Sequence, residues 1–189
     1  LITDAVKRQL VSDVPLCCFL SGGLDSSIIS KIASDECLSG SKGRLHTYSV
    51  NYVDNDQYFV KNIFQPNSDE KYIRMMVNEI GSQHHEVLLD NEDLEKHLGD
   101  AAFARDLPGM ADVDSSLLMF CREIKKEFTV AVSGECADEI FGGYPWYHNR
   151  DILFKNTFPW SRSLDLRQSI LEPGLLTDGE EYVKQQYSD

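Results

Sequence analysis

Two short strings in this sequence carry residue types suited to a phosphorylated ligand. The first is Ser21-Gly22-Gly23-Leu24-Asp25-Ser26-Ser27, and the second is Ser133-Gly134-Glu135-Cys136-Ala137-Asp138-Glu139. Glycine has no Cβ, so the backbone there can come close to an anion. The hydroxyls of Ser21, Ser26 and Ser27 add donors. A helix starting directly after the first string would aim its free N–H groups and the positive end of its dipole at the same place. Asp25 would repel phosphate there unless a bridging Mg²⁺ turned the repulsion into attraction. Glu135, Asp138 and Glu139 follow an apolar run, and carboxylates so placed are costly unless a cation or ligand compensates them. Taken singly, the first string reads as a strand-to-helix turn with an Asp or Ser N-cap. The second, taken singly, reads as an acidic helix start that complements the dipole. Taken together they favour one anion-and-metal site.

Apolar periodicity supplies the elements that must position these strings. Val14 to Leu20 is a strand, and Ile28, Ile29, Ile32 and Ala33 then recur at helical spacing to about Cys37. A helix over 2–10 precedes them. Further strands are expected over 45–52, 84–89 and 128–132, and further helices over 71–80, 93–105, 115–126 and 177–187, with a long loop over 52–68. Gly81 closes the helix 71–80. This alternation predicts an α/β fold: a twisted parallel sheet built from β-α-β units, with helices on both faces. Open parallel sheets bind ligands beyond the carboxyl ends of their strands. Both strings directly follow strands, so neighbouring strands would put them on one crevice, with Asp25 and Asp138 close enough to share a metal.

Composition narrows the class. A chain of 189 residues, 42% hydrophobic and 26% charged, suits a single α/β domain over 1–189. A net charge of −13 argues against a nucleic-acid partner. No apolar run reaches membrane-spanning length and no signal peptide is visible. The five cysteines are odd in number and form no C-x-x-C pair, which points to reduced thiols in a cytoplasmic protein. Neither G-x-x-x-x-G-K-S/T nor G-x-G-x-x-G occurs. His84-His85-Glu86 is a weak metal motif, because adjacent strand residues face opposite ways. Asp112 and Asp114 read as a capped helix start in preference to a carboxylate pair, and Trp146 with Tyr147 as core or interdomain packing aromatics in preference to a platform that stacks a ring.

The first string resembles the pyrophosphate-binding loop (PP-loop) of the ATP pyrophosphatase family, which has the adenine nucleotide alpha hydrolase-like fold. Followed in order by the second string and Ile140-Phe141-Gly142-Gly143-Tyr144, it resembles the synthetase domain of glutamine-hydrolysing asparagine synthetases across nearly the whole chain. Cys136-Ala137 departs from the Gly-Ser common there. The resemblance implies an ATP-dependent amide-forming ligase that adenylates the aspartate side-chain carboxylate, releasing pyrophosphate, after which ammonia displaces AMP. By the same resemblance Ser21 to Ser27 hold pyrophosphate, and Leu20, Val50, Ser133 and Gly134 contact AMP. Asp25 and Asp138 bind Mg²⁺, and Glu135 acts at the reacting centre. A nucleotide-binding module without chemistry, or a relative of the β-lactam synthetases, would use the same loops. The family's glutaminase domain, the source of ammonia, is absent from this chain, and so is its downstream ATP-contacting lysine. The sequence therefore reads as a fragment truncated at both ends, inactive alone.

Overall fold

The computed structural model describes residues 1–40, 43–62, 67–107, 109–155, 157–159, 164–172, 174 and 179–188. The chain divides into two compact units, Leu1–Glu135 and Cys136–Asp189. The first contains, in order, α1 Ile2–Gln9, β1 Leu16–Phe19, α2 Leu24–Ser39, β2 His46–Tyr52, α3 Asn55–Tyr58, α4 Glu70–Ile80, β3 Gln83–Leu89, α5 Asn91–Lys96, α6 Leu98–Arg105, α7 Ala111–Ile124 and β4 Val130–Val132. The second contains α8 Ala137–Phe141, a 3-10 turn Pro145–His148, α9 Arg150–Leu153, α10 Leu164–Ile170 and α11 Gly179–Ser188. No helix among the described residues is long and apolar enough to cross a membrane.

The four strands form one parallel sheet in the order β3-β2-β1-β4. Successive strand residues point to opposite faces, and each face has its own core. On one face Cys17, Tyr48, Val87 and Leu89 pack with Leu94 of α5, Phe120 and Ile124 of α7, and Phe128. On the other, Cys18 and Leu45 pack with Val6 and Leu10 from α1 and its end, Ala33 of α2 and Ile80 of α4. The neighbours Cys17 and Cys18 thus serve opposite cores, and both are fully buried. The expected α/β architecture, with a parallel sheet between helical layers, is what the chain adopts.

Local departures have local causes. The first strand is shorter than 14–20: Ser12 and Val14 exchange hydrogen bonds in a turn ahead of Pro15, which has no N–H to give. Leu20 still donates to the Tyr48 carbonyl at 2.8 Å. The buried residues of α2 are Ser26, Ser30, Ala33 and Ser34, with Ile29 and Ile32 packed beside them against the core as expected, while Ile28 is 44% exposed. The single helix expected over 93–105 breaks at His97, whose ring Nδ1 lies 2.7 Å from the Asp93 carbonyl. A short helix, α3, interrupts the expected loop, entered through the left-handed Asp54 (φ 59°). Helix α7 begins at Ala111 with Met110 as its uncapped N-cap, so Asp112 and Asp114 are not caps. Asp114 is buried and pairs with Arg105 instead. Gly81 closes α4 in the left-handed region, as its sequence position predicts (φ 61°). The expected start of the last helix, Thr177, lies outside the described residues, as do 63–66 of the long loop.

Candidate functional site

Pairing of β1 with β4 brings Ser133 to Glu135, the start of the second string, beside the first string. Cys17 aligns with Ala131 and Cys18 with Val132, so the chain leaves both strands at the same edge, one entering Ser21 and the other Ser133. The first turn is tied by its own serines. Ser21 Oγ and Ser26 Oγ are 3.0 Å apart, the Ser21 N–H donates to Ser26 Oγ at 3.2 Å, and Ser26 Oγ is 3.2 Å from the Gly23 carbonyl. Gly23 is the N-cap of α2 and has no side-chain cap, so the helix start keeps free N–H groups. Gly22 has φ +81°, and a Cβ there would stand 2.9 Å from the Asp69 carbonyl oxygen and 3.0 Å from Tyr72 Cβ. The turn is therefore pressed against the start of α4 in a conformation and a space that suit only glycine.

The second turn docks on the first. A Cβ on Gly134 would come within 3.1 Å of Asp25 Cβ and 3.3 Å of the Ser26 nitrogen. The Glu135 N–H donates to Ser133 Oγ at 3.3 Å, which bends the chain back over the strand ends. Asp25 lies in the first turn of α2, and among the described residues its carboxylate has no hydrogen-bond or ion-pair partner.

A cleft of about 540 Å³ opens beyond these turns. Leu20, Ser21, Val50, Ser133 and Glu135, all singled out from the sequence, line it. Its other walls are residues that sequence reasoning missed: Tyr48 and Tyr52 of β2, Asp69 and Ile73 at the start of α4, and Val113, Ser116, Leu117 and Phe120 of α7. Tyr52 donates its hydroxyl proton to Ser116 Oγ at 3.1 Å, and Ser116 bonds back to the Asp112 carbonyl at 2.8 Å. The apolar period of α7 was the available signal, but a stripe of that kind reads as core, and only its outer half turns to the cleft. Gly22, Gly23, Leu24, Ser26 and Ser27 form the turn beside the cleft rather than its wall.

Asp138 belongs to the second unit, in the first turn of α8, where Cys136 takes the left-handed conformation (φ 68°). The N–H groups of Gly142 and Gly143 both donate to its carbonyl, at 2.9 and 3.1 Å. Tyr144 donates to Glu139 Oε1 at 2.8 Å and stacks on Trp146, centroids 4.3 Å apart, so Trp146 packs within its own unit. His84 and His85 point to opposite faces: both ring nitrogens of His84 sit 3.0 Å from hydroxyls, of Thr47 and Ser49, while His85 stacks on Tyr48.

The fold and the cleft define an α/β domain whose candidate site stands at the carboxyl ends of parallel strands. The asparagine synthase family model matches residues 1–188, and the chain belongs to that family. It is 52% identical over 191 residues to glutamine-hydrolysing asparagine synthetase 3 of Bacillus subtilis (strain 168), covering 100% of this chain and 31% of that protein. It is 31% identical over 154 residues to the glutamine-hydrolysing asparagine synthetase of Asparagus officinalis, covering 77% of this chain and 24% of that protein. The chain thus spans less than a third of the length of these relatives. A solved structure, NMN synthetase from Francisella tularensis, matches at a TM-score of 0.42 and 9% identity, over 77% of this chain and 55% of that one.

Proposed function

We propose that this domain is the adenylating part of an ATP-dependent amide ligase that makes asparagine. In this reading the aspartate side-chain carboxylate attacks the α-phosphorus of ATP and pyrophosphate leaves. Ammonia, delivered from a glutaminase domain elsewhere in the complete protein, then displaces AMP from the acyl carbon. A carboxylate resists an amine nucleophile; the adenylate supplies a leaving group. The domain's own work is positioning and charge neutralisation.

The observation that carries this reading is the docking of Gly134 on Asp25 and Ser26 at the mouth of the cleft. It supports a role for Ser21 to Ser27 in holding pyrophosphate, through backbone N–H groups and hydroxyls at the start of α2. Leu20, Val50, Ser133 and Gly134 are assigned to AMP, largely by backbone. Glu135 is assigned to the reacting carboxyl, as the group that orients it or takes the proton from ammonia. Asp25 and Asp138 are hard oxygen donors without partners among the described residues, a donor type that suits Mg²⁺. Held by such a carboxylate with the nucleotide, Mg²⁺ would supply charge neutralisation at the phosphates.

The test uses the complete protein that contains this domain. With aspartate labelled by ¹⁸O in its side-chain carboxylate, one label is expected in the AMP released, and none in pyrophosphate. AMP free of label during asparagine formation would overturn the adenylation step.

A further inference from the structure

At the other end of the sheet, near the amino ends of β2 and β3, three ligating side chains converge. His46 Nδ1 lies 3.0 Å from His85 Nε2, and one ligand atom from each of His46, His85 and Glu127 lies within 4.8 Å of the others. Strand register accounts for the pair: His46 aligns with Gln83 and Tyr48 with His85, so the two histidines are diagonal neighbours on one face. Glu127 comes from the link between α7 and β4, where its N–H donates to the Ile124 carbonyl at 3.0 Å.

The rings are held in place by their neighbours. His46 and His85 stack with centroids 5.2 Å apart, Tyr48 covers His85 at 4.5 Å, and Phe128 lies against His46 at 4.9 Å. Glu127 is exposed, and His46 and Phe128 also line a surface cleft of about 580 Å³, so an ion has a way in. A bare N–H···N bond between the imidazoles accounts for their distance but not for a carboxylate converging on the same point. Tetrahedral zinc, with bonds to nitrogen of about 2.0–2.1 Å, sets two ligand nitrogens about 3.3 Å apart. The pair need open by only a few tenths of an ångström.

We propose that His46, His85 and Glu127 form a binding site for a divalent transition-metal ion of the zinc type, with water completing its shell. Two imidazoles and one carboxylate are the donor set such ions favour, whereas Mg²⁺ prefers all-oxygen sites. Whichever ring donates the N–H to its partner moves that proton to its own other nitrogen, so the neutral pair binds without net proton release. The ion ties β2, β3 and the α7–β4 link together at the end of the sheet remote from the glycine turns. It is a structural clamp whose three ligands lie outside the lining of the cleft beside those turns, with Tyr48 touching both.

The test titrates Co²⁺ and Zn²⁺ into the protein in excess Mg²⁺, with His85→Gln and Glu127→Ala variants alongside. One equivalent is expected to bind the parent protein, with cobalt d–d absorption and no thiolate charge-transfer band, and to raise its melting temperature. Affinity should fall at least tenfold in each variant. Glu127 is exposed, so its loss leaves the fold intact and the weakening reports ligation. Three results would overturn the site: no binding beyond that of Mg²⁺, affinity unchanged in both variants, or a thiolate band that moves the ion to the exposed Cys121 or Cys136.

Discussion

The two ends of the sheet are built from opposite materials. At the carboxyl ends of β1 and β4 the chain spends glycines, small hydroxyls and carboxylates without partners among the described residues, and side chains withdraw so that backbone can approach. At the amino ends of β2 and β3 large rings stack on one another, and polar atoms are matched in pairs. The first arrangement leaves donors and charge open to a ligand. The second locks side chains into fixed positions. One sheet can therefore offer turn backbone and small polar groups at one end and packed strand side chains at the other.

The largest effect that would break this contrast lies at Glu135. In the complete protein, Glu135→Gln should lower aspartate-dependent pyrophosphate release by roughly 10²–10⁴-fold, the range for loss of a positioned acid–base group, with ATP binding retained. A variant that melts early and turns over normally would make Glu135 a helix-dipole partner only. Next comes Asp25→Asn. Calorimetry should show Mg·ATP affinity reduced by at least the roughly 10–100-fold that losing even an outer metal partner costs, with little change for ATP measured in chelator. Equal affinities for the parent and the variant would remove Asp25 from the metal.

Gly22→Ala sharpens the comparison from the packing side. It meets a positive φ and the Asp69 carbonyl at once, and should cost about 1–3 kcal/mol, read as a lowered melting temperature. The smallest expected effect is a pH dependence at the paired end. Burial, the main cause, holds His84 below the ordinary value of 6.5, and it does the same to His46. The unfolded chain then takes up protons first as pH falls. The stability these histidines contribute is full above about pH 6.5 and drains as pH drops from there toward their folded values. His84→Gln should flatten the fall of melting temperature between roughly pH 7 and 5; an unchanged slope would mean that other groups set it.

What was legible in the sequence follows the same division. Contiguous strings at the carboxyl end could be read because turn, donors and carboxylate lie within seven residues, and alternation of strand and helix gave the parallel sheet. The cluster at the amino end could not, since His46, His85 and Glu127 come from three separated segments that only the strand register assembles. His84-His85-Glu86 is a weak metal motif because adjacent strand residues diverge, and the diagonal neighbour of His85 on β2, His46, is not adjacent to it in sequence. The face of α2 was legible in part. Ile29, Ile32 and Ala33 pack on the core as their spacing predicts, but Ser26, Ser30 and Ser34 share the buried face and Ile28 is exposed, which apolar periodicity does not register. The cleft walls from α7 were hidden because one apolar stripe serves both core and site.

Cys17 and Cys18 give the molecule a built-in record of its own breathing. Burial is the main force that pushes their thiols up to about 11 and about 12, leaving a reactive thiolate fraction at neutral pH of about 10⁻⁴ and 10⁻⁵. Neither can be alkylated at any useful rate until its own layer parts. As adjacent residues of one central strand that face different layers, they form a two-channel clock: the order of their labelling tells which helical layer lifts off first. The exposed Cys136 reacts ahead of both and calibrates the reagent in the same tube.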